Sequence, residues 1–259
     1  MKYFLYILLF ISSSMSSQEL IEAAFIKTID IDTQSIIGID NFGIIYAVKG
    51  NVLSKTEENK ILTYSNVQLG NISSANAFNT LKINLFYKNY NTAIILDNRL
   101  AEIYKIDFNT VQPYKNVSHI STGYDTTLWV FNTDLQQLEL YDYKNNTIRA
   151  NTLPIESNVL DMRSNYNYCW LLTEKHLYTF NYFGSLVSKL NNDGFTALTE
   201  NNGNVILKNN NKLFFLGKNS QKPIPIKIKE LLINQFLLTN ETLYIYDSVK
   251  LHQYQLKIN

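Results

Sequence analysis

A single cysteine, Cys169, excludes an internal disulfide, so the stability of this 259-residue chain has to come from packing. Its place inside the apolar stretch from Tyr168 to Leu172 marks it as a buried small hydrophobe rather than a nucleophile. Nine glycines are too few for a glycine-rich cofactor cradle. The three histidines, His119, His176 and His252, stand far apart. None has a second His, Cys or carboxylate at metal-ligand spacing, so no metal is expected. With no Gly-x-Ser-x-Gly elbow, phosphate loop or His-Glu-x-x-His helix, the sequence assigns no catalytic residue and no cofactor. Scattered single residues still build active sites in repeat folds, which leaves enzyme activity open. Charge is also sparse: Asp, Glu, Lys and Arg make up 17%, with 23 basic against 22 acidic residues and a net charge of +1. That balance gives no basic stripe for nucleic acid and no acidic cluster for calcium.

Long apolar runs are absent except at the start, where Lys2 precedes Tyr3 to Ile11 and the small residues Ser12 to Ser17. The run is shorter than the roughly 20 residues needed to cross about 30 Å of hydrocarbon. It therefore reads as a secretory signal peptide, residues 1–17, with Ser14 and Ser16 in small-x-small relation and cleavage after Ser16 or Ser17. The expected mature unit is one domain, residues 18–259, exported to a bacterial periplasm or the periplasmic face of the outer membrane and not itself inserted in a membrane. No Cys stands at the cleavage point to carry a lipid anchor, so attachment to a membrane would need a protein partner.

What the chain has in quantity is a repeat: an apolar strand, a polar turn, a Leu-initiated aromatic strand, then Asp or Asn. It reads Leu128-Trp129-Val130-Phe131 with Leu138-Glu139-Leu140-Tyr141-Asp142, and Cys169-Trp170-Leu171-Leu172 with Leu177-Tyr178-Thr179-Phe180-Asn181. It returns at Val205-Ile206-Leu207 with Leu213-Phe214-Phe215-Leu216, and at Phe236-Leu237-Leu238 with Leu243-Tyr244-Ile245-Tyr246-Asp247. An earlier copy is Ala93-Ile94-Ile95-Leu96 with Ile103-Tyr104-Lys105-Ile106-Asp107. A repeated antiparallel hairpin at this period predicts an all-β fold, a β-propeller, because each four-stranded blade buries its faces only against its neighbours. Asn191-Asn192, Asn201-Asn202 and Asn209-Asn210-Asn211 fall between the apolar runs and read as tight turns, where Asn tolerates the left-handed conformation.

Aligned on Ile103, Leu138, Leu177, Leu213 and Leu243, the copies step by 35, 39, 36 and 30 residues. A first copy around Ile36 to Val48 leaves 57 residues between Tyr46 and Ile103. Between Gly70 and Tyr90, Phe78, Leu81, Leu85 and Phe86 have helical spacing behind Ser73-Ser74, so the excess reads as an insertion in a six-bladed ring. Seven blades is the alternative. The segment Ala24 to Ile31 has no blade of its own and is expected to close the ring as the fourth strand of the last one.

On these residues the chain resembles the superfamily of WD-repeat-like and quinoprotein-like propellers, over essentially its whole mature length. Leu128-Trp129-Val130 followed by Leu140-Tyr141-Asp142 is similar to the blade core of bacterial periplasmic sensor propellers. The chain departs from the narrower families: it has no Trp-Asp or Gly-His signature, no sialidase-type Asp box and no Gly-Trp pattern. Its Asn, Ile, Lys and Tyr bias resembles that of secreted flavobacterial proteins. The resemblance implies a non-enzymatic envelope scaffold, similar in role to the propeller subunit of outer-membrane assembly machinery, a monomer by itself that docks an outer-membrane protein. The other reading is a glycan-directed propeller, a lectin, hydrolase or lyase.

Trp129 and Trp170 hold matching repeat positions and are expected to pack between blades. Eighteen tyrosines and fourteen phenylalanines exceed what blade packing needs, so some should lie on a recognition surface. The least repetitive stretch is the expected binding site: Lys82, Tyr87, Lys88 and Tyr90, followed by Asp97, Arg99 and Glu102.

Overall fold

The computed structural model describes residues 19–58 and 60–258, so the expected signal peptide lies outside the described residues. Strand β1 (Ile21–Asp30) opens the fold. The first blade is β2 (Ser35–Ile39), β3 (Ile45–Lys49), β4 (Val52–Glu57) and β5 (Lys60–Ser65). The second is β6 (Ser74–Asn76), β7 (Ile83–Tyr87), β8 (Thr92–Leu96) and β9 (Glu102–Asp107). The third is β10 (Val117–Thr122), β11 (Thr127–Asn132), β12 (Gln137–Asp142) and β13 (Thr147–Asn151). The fourth is β14 (Val159–Ser164), β15 (Tyr168–Thr173), β16 (His176–Asn181) and β17 (Leu186–Asn191). The fifth is β18 (Ala197–Asn201), β19 (Asn204–Asn209), β20 (Lys212–Leu216) and β21 (Ile224–Lys227). The sixth is β22 (Gln235–Thr239), β23 (Thr242–Tyr246) and β24 (Lys250–Lys257), completed by β1. The described residues thus form a six-bladed propeller whose innermost strands, β2, β6, β10, β14, β18 and β22, meet around a central channel. No described helix is long and apolar enough to cross a membrane.

The second strand of each blade explains the continuous apolar runs. Side chains alternate across a strand, and here both faces are covered by neighbouring blades. On β11, Leu128 and Val130 enter the cluster shared with the second blade, while Trp129 and Phe131 enter the one shared with the fourth. On β15, Cys169 and Leu171 face the third blade and Trp170 and Leu172 the fifth. Both tryptophans therefore pack between blades, as their repeat positions require. The ring closes through Ile36 and Ile39 of the first blade against Tyr246 and Leu251 of the sixth. Eight residue pairs, from Glu22–Lys257 to Asp30–Lys250, hold β1 antiparallel to β24, and a short parallel contact, Ile21 with Ile226, joins β1 to β21.

The repeat register differs from the sequence alignment in two places. Ile103 lies in the exposed fourth strand β9, and Leu243 lies in the second strand β23. The equivalent buried positions, each second in its third strand, are Leu53, Ala93, Leu138, Leu177, Leu213 and Leu251, with steps of 40, 45, 39, 36 and 38 residues. The stretch between Gly70 and Tyr90 is accordingly no insertion, in contrast to the sequence expectation: it is the second blade's own β6 and β7 and a 3-10 turn at Lys88–Tyr90. The Asp or Asn that closes the repeat unit is a turn cap, because its side chain accepts the backbone N–H groups that the turn leaves unpaired. Asp142 Oδ1 accepts from Lys144 and Asn145, Asn181 Oδ1 from Phe183 and Ser185, and Asp247 Oδ1 from Val249 and Lys250.

Candidate functional site

The seven residues singled out in sequence all lie in the second blade, at opposite ends of its strands. Lys82 precedes β7, and Asp97 and Arg99 follow β8, at one face of the ring; Lys88 and Tyr90 sit in the β7–β8 turn at the other. Five-residue strands separate the two groups by about 15 Å. Tyr87 is only 1% exposed and packs against the first blade, because it alternates with Ile83 and Leu85 on a strand covered on both faces. Asp97 is occupied as a turn cap, accepting from Arg99 and Ala101 N–H at 2.8 Å each, and these backbone bonds lower its carboxyl pKa. Glu102 accepts the Tyr64 hydroxyl, and Lys82 Nζ donates to the Asp125 carbonyl of the third blade.

The half of this set at Lys88 and Tyr90 belongs to a built rim. Three segments converge there: residues 66–73, which lead into the blade, the β7–β8 turn, and residues 108–116, which lead out. Lys88 N–H donates to Ser73 Oγ at 3.0 Å, and Asn109 Nδ2 donates to the Tyr90 carbonyl at 2.9 Å. Asn91, left-handed at φ +49°, donates from Nδ2 to the Lys115 carbonyl at 2.6 Å and accepts from Val117 N–H at 3.0 Å. Beneath it, Lys115 Nζ meets Glu139 Oε2 at 2.6 Å, with both side chains fully buried. The three segments carry Val67 at 84%, Tyr90 at 50% and Tyr114 at 51% exposure, and the exposed Lys88.

At the opposite face, the ends of the inner strands form the mouth of the channel, a cavity of about 380 Å³. Asn240 Nδ2 donates to Asn41 Oδ1 at 2.8 Å and Asn240 N–H to Asn201 Oδ1 at 3.0 Å, a chain of amides across blades one, six and five. On the far side, Asn76 bonds Ser121 and Thr122, Ser164 bonds Ser121, and the rings of Phe78 and Tyr166 meet edge to face at 5.2 Å. Arg163 and Glu200 both line the cavity without pairing. Arg163 Nε donates to the Leu198 carbonyl at 3.3 Å, and Asp161 Oδ2 accepts from Leu198 N–H at 2.9 Å, so one residue of the fifth blade's inner edge is clamped by the fourth. Glu200 Oε1 accepts from Asn165 Nδ2 at 2.8 Å and Gly203 N–H at 3.0 Å. Oε2 has no hydrogen-bond partner among the described residues.

Burial raises the Glu200 pKa above its ordinary value of 4.5, outweighing the two hydrogen bonds that lower it. A carboxyl with a raised folded-state pKa binds its proton more tightly when folded, so its contribution is present at low pH and lost as pH rises past the unfolded value. Glu200→Gln is therefore expected to raise the melting temperature at pH 7 and leave it unchanged at pH 4, measured by scanning calorimetry. A lower melting temperature at pH 7 would contradict the assignment. On β10, His119 stands in the field of Asp161, Lys88 and Arg163, and burial holds its imidazole below the ordinary value. No group of three or more His, Cys, Asp or Glu side chains converges as a metal site among the described residues.

No protein-family model matches the chain, and no curated protein matches it. Solved structures do. A catalytically inactive histidine-to-alanine variant of virginiamycin B lyase from Staphylococcus aureus, solved with quinupristin, superposes with a TM-score of 0.61 at 13% identity, covering 89% of this chain and 99% of that one. BamB from Moraxella catarrhalis gives 0.55 at 11% identity over 92% of this chain and 98% of that one. A chain of the mitotic checkpoint complex gives 0.59 at 9% identity, covering 94% of each. The shared property is the propeller. At these identities the likeness concerns fold alone, since an enzyme and a chain of a protein complex stand side by side.

The mouth residues were not singled out in the sequence, where the Asn tracts read as turns. They are turns, with Asn202 and Asn240 at φ +54° and +46°, yet Asn201 and Asn240 also form the amide chain. The available signal was positional: Asn41, Asn76, Asn165, Asn201 and Asn240 each close the innermost strand of a different blade.

Proposed function

We propose that this protein is a non-enzymatic binding scaffold of the bacterial envelope, which docks a partner protein through the rim formed by Val67, Lys88, Tyr90 and Tyr114. The observation that carries the reading is the preorganisation of that rim. Three chain segments are tied by Ser73, Asn91 and Asn109, so two tyrosines and a valine stand in water on a rigid base. Aromatic anchors that are already ordered lose little entropy on binding, and such residues dominate interface energetics. Lys88 beside them favours a partner loop with an apolar side chain flanked by a carboxylate. Export to the periplasm, an outer-membrane partner and a monomeric state accord with this reading, and the likeness to BamB is compatible with it.

The experiment is a photo-crosslinking amino acid placed at position 90 or 114 in cells, with Phe42 on the other face as the control position. The crosslinked protein is then purified and titrated. Tyr90→Ala with Tyr114→Ala is expected to weaken binding at least tenfold with an unchanged melting temperature. Equal crosslinking at position 42, or unaltered affinity in the folded double variant, would refute the rim assignment. Tyr87 has no place in this test, since truncating a fully buried side chain unfolds rather than unbinds.

A further inference from the structure

We infer that the channel mouth, on the face opposite the docking rim, binds a neutral saccharide. The cavity of about 380 Å³ falls within the range of small-molecule sites, about 300–1,000 Å³. Its unsatisfied groups are of both kinds. After the amide chain is made, Asn41 Nδ2 and Asn201 Nδ2 have no acceptor and Asn240 Oδ1 and Glu200 Oε2 no donor among the described residues. Arg163 adds further donors, since only its Nε is committed by a hydrogen bond, with Asp161 Oδ1 3.8 Å from its nearer terminal nitrogen.

Hydroxyl groups both donate and accept, so a polyol satisfies such a mixed set; an anion only accepts and an ammonium only donates. Charge narrows the choice further. Asp161 compensates Arg163, while Glu200 and the turn-capping Asp40, both lining the cavity, have no cationic partner among the described residues, so the mouth carries an excess negative charge that repels phosphates and carboxylates. Glu200 is held ready, with Oε1 fixed by Asn165 and Gly203 and Oε2 left to accept from a ligand hydroxyl. A charge-assisted bond of that kind is stronger than one between neutral groups. Around the lip stand two aromatic rings, Phe42 at 90% exposure and Phe78, both lining the cavity. The C–H face of a pyranose is apolar and weakly positive, complementary to the negative face of a phenyl ring.

This site is independent of the docking rim, and the test keeps them apart. The purified full chain is screened by saturation-transfer NMR against neutral methyl glycosides and short neutral oligosaccharides, with a uronic acid and lysine amide as the charged comparators. Neutral sugars are expected to bind, with affinity unchanged between 50 and about 300 mM salt, where surface charge effects would be screened. Glu200→Gln and Phe42→Ala are each expected to weaken that binding at least tenfold while the melting temperature is held or raised. Tyr90→Ala with Tyr114→Ala should leave it intact. Absence of binding by every neutral sugar at millimolar concentration would overturn the inference. Salt-sensitive binding of lysine amide alone, or undiminished sugar binding in the two mouth variants, would do so equally.

Discussion

Glu139→Ala is expected to cost about 3–5 kcal/mol of folding stability, the range for removing one partner of a buried ion pair. At about 2–4 °C per kcal/mol for a domain of this size, the melting temperature should fall by roughly 6–20 °C. The cost comes less from the attraction lost than from Lys115 Nζ, which would be left inside the protein without its carboxylate. Asn132 Nδ2, now 3.1 Å from Glu139 Oε1, would lose its acceptor as well. Lys115→Met combined with Glu139→Leu is expected to recover most of the loss, because similar apolar volume without charge is often neutral or stabilising. Urea unfolding of the single and double variants decides the matter. A loss below about 1 kcal/mol in Glu139→Ala, or a double variant no better than the single, would show the pair to be hydrated. The pair also bears on binding: Lys115 adjoins Tyr114, and its carbonyl is the acceptor for Asn91. Loosening it should release the rim before it unfolds the ring.

Deleting the chain through Asp30 is expected to abolish cooperative unfolding and to produce oligomers. The deletion exposes β24 along the eight pairs it shares with β1, and an open strand edge templates association with a second copy. It also removes Ile29 from the junction between blades six and one, and breaks the contact of His252 with Thr28 Oγ1 at 3.3 Å. A synthetic peptide covering residues 19–33 should restore the monomer, read by size-exclusion chromatography and by the thermal transition. A truncated chain that stays monomeric and melts as the parent does would mean that the clasp contributes little.

The second strands β3, β11, β15 and β19 were legible in the sequence because burial on both faces writes them as apolar runs, whereas β7 was read into an insertion and β23 was taken for a third strand. The fourth strands were not legible. β5, β9 and β13 are largely exposed, and nothing in Lys60–Ser65 or Thr147–Asn151 separates them from loops. Register slipped in the second blade for a related reason. β6 is three residues long and carries no pattern, so Phe78, Leu81 and Leu85 in the next loop and strand fell into helical spacing by coincidence. The ring closure by β1 was readable, because a strand-like segment without a blade had to pair somewhere. The site was half readable. A Tyr-Lys-Asn-Tyr stretch marks a turn, but whether Tyr87 or Tyr90 faces water depends on strand phase, which sequence alone left ambiguous. The channel mouth is built from short stretches of blades one, two, four, five and six that lie far apart in sequence, and only the folded ring shows them to be neighbours.

The clasp gives the molecule a direction of mechanical weakness. Glu22 is paired with Lys257, so the start of β1 and the end of β24 lie side by side. Tension applied between them peels β1 from β24 one residue pair at a time, starting at that end, and each step meets only a small force. Tension between the N-terminal strand and the far side of the ring instead loads all eight pairs at once, in shear. A propeller tethered by its leading strand and gripped at the second-blade rim would be pulled in the stronger of these directions.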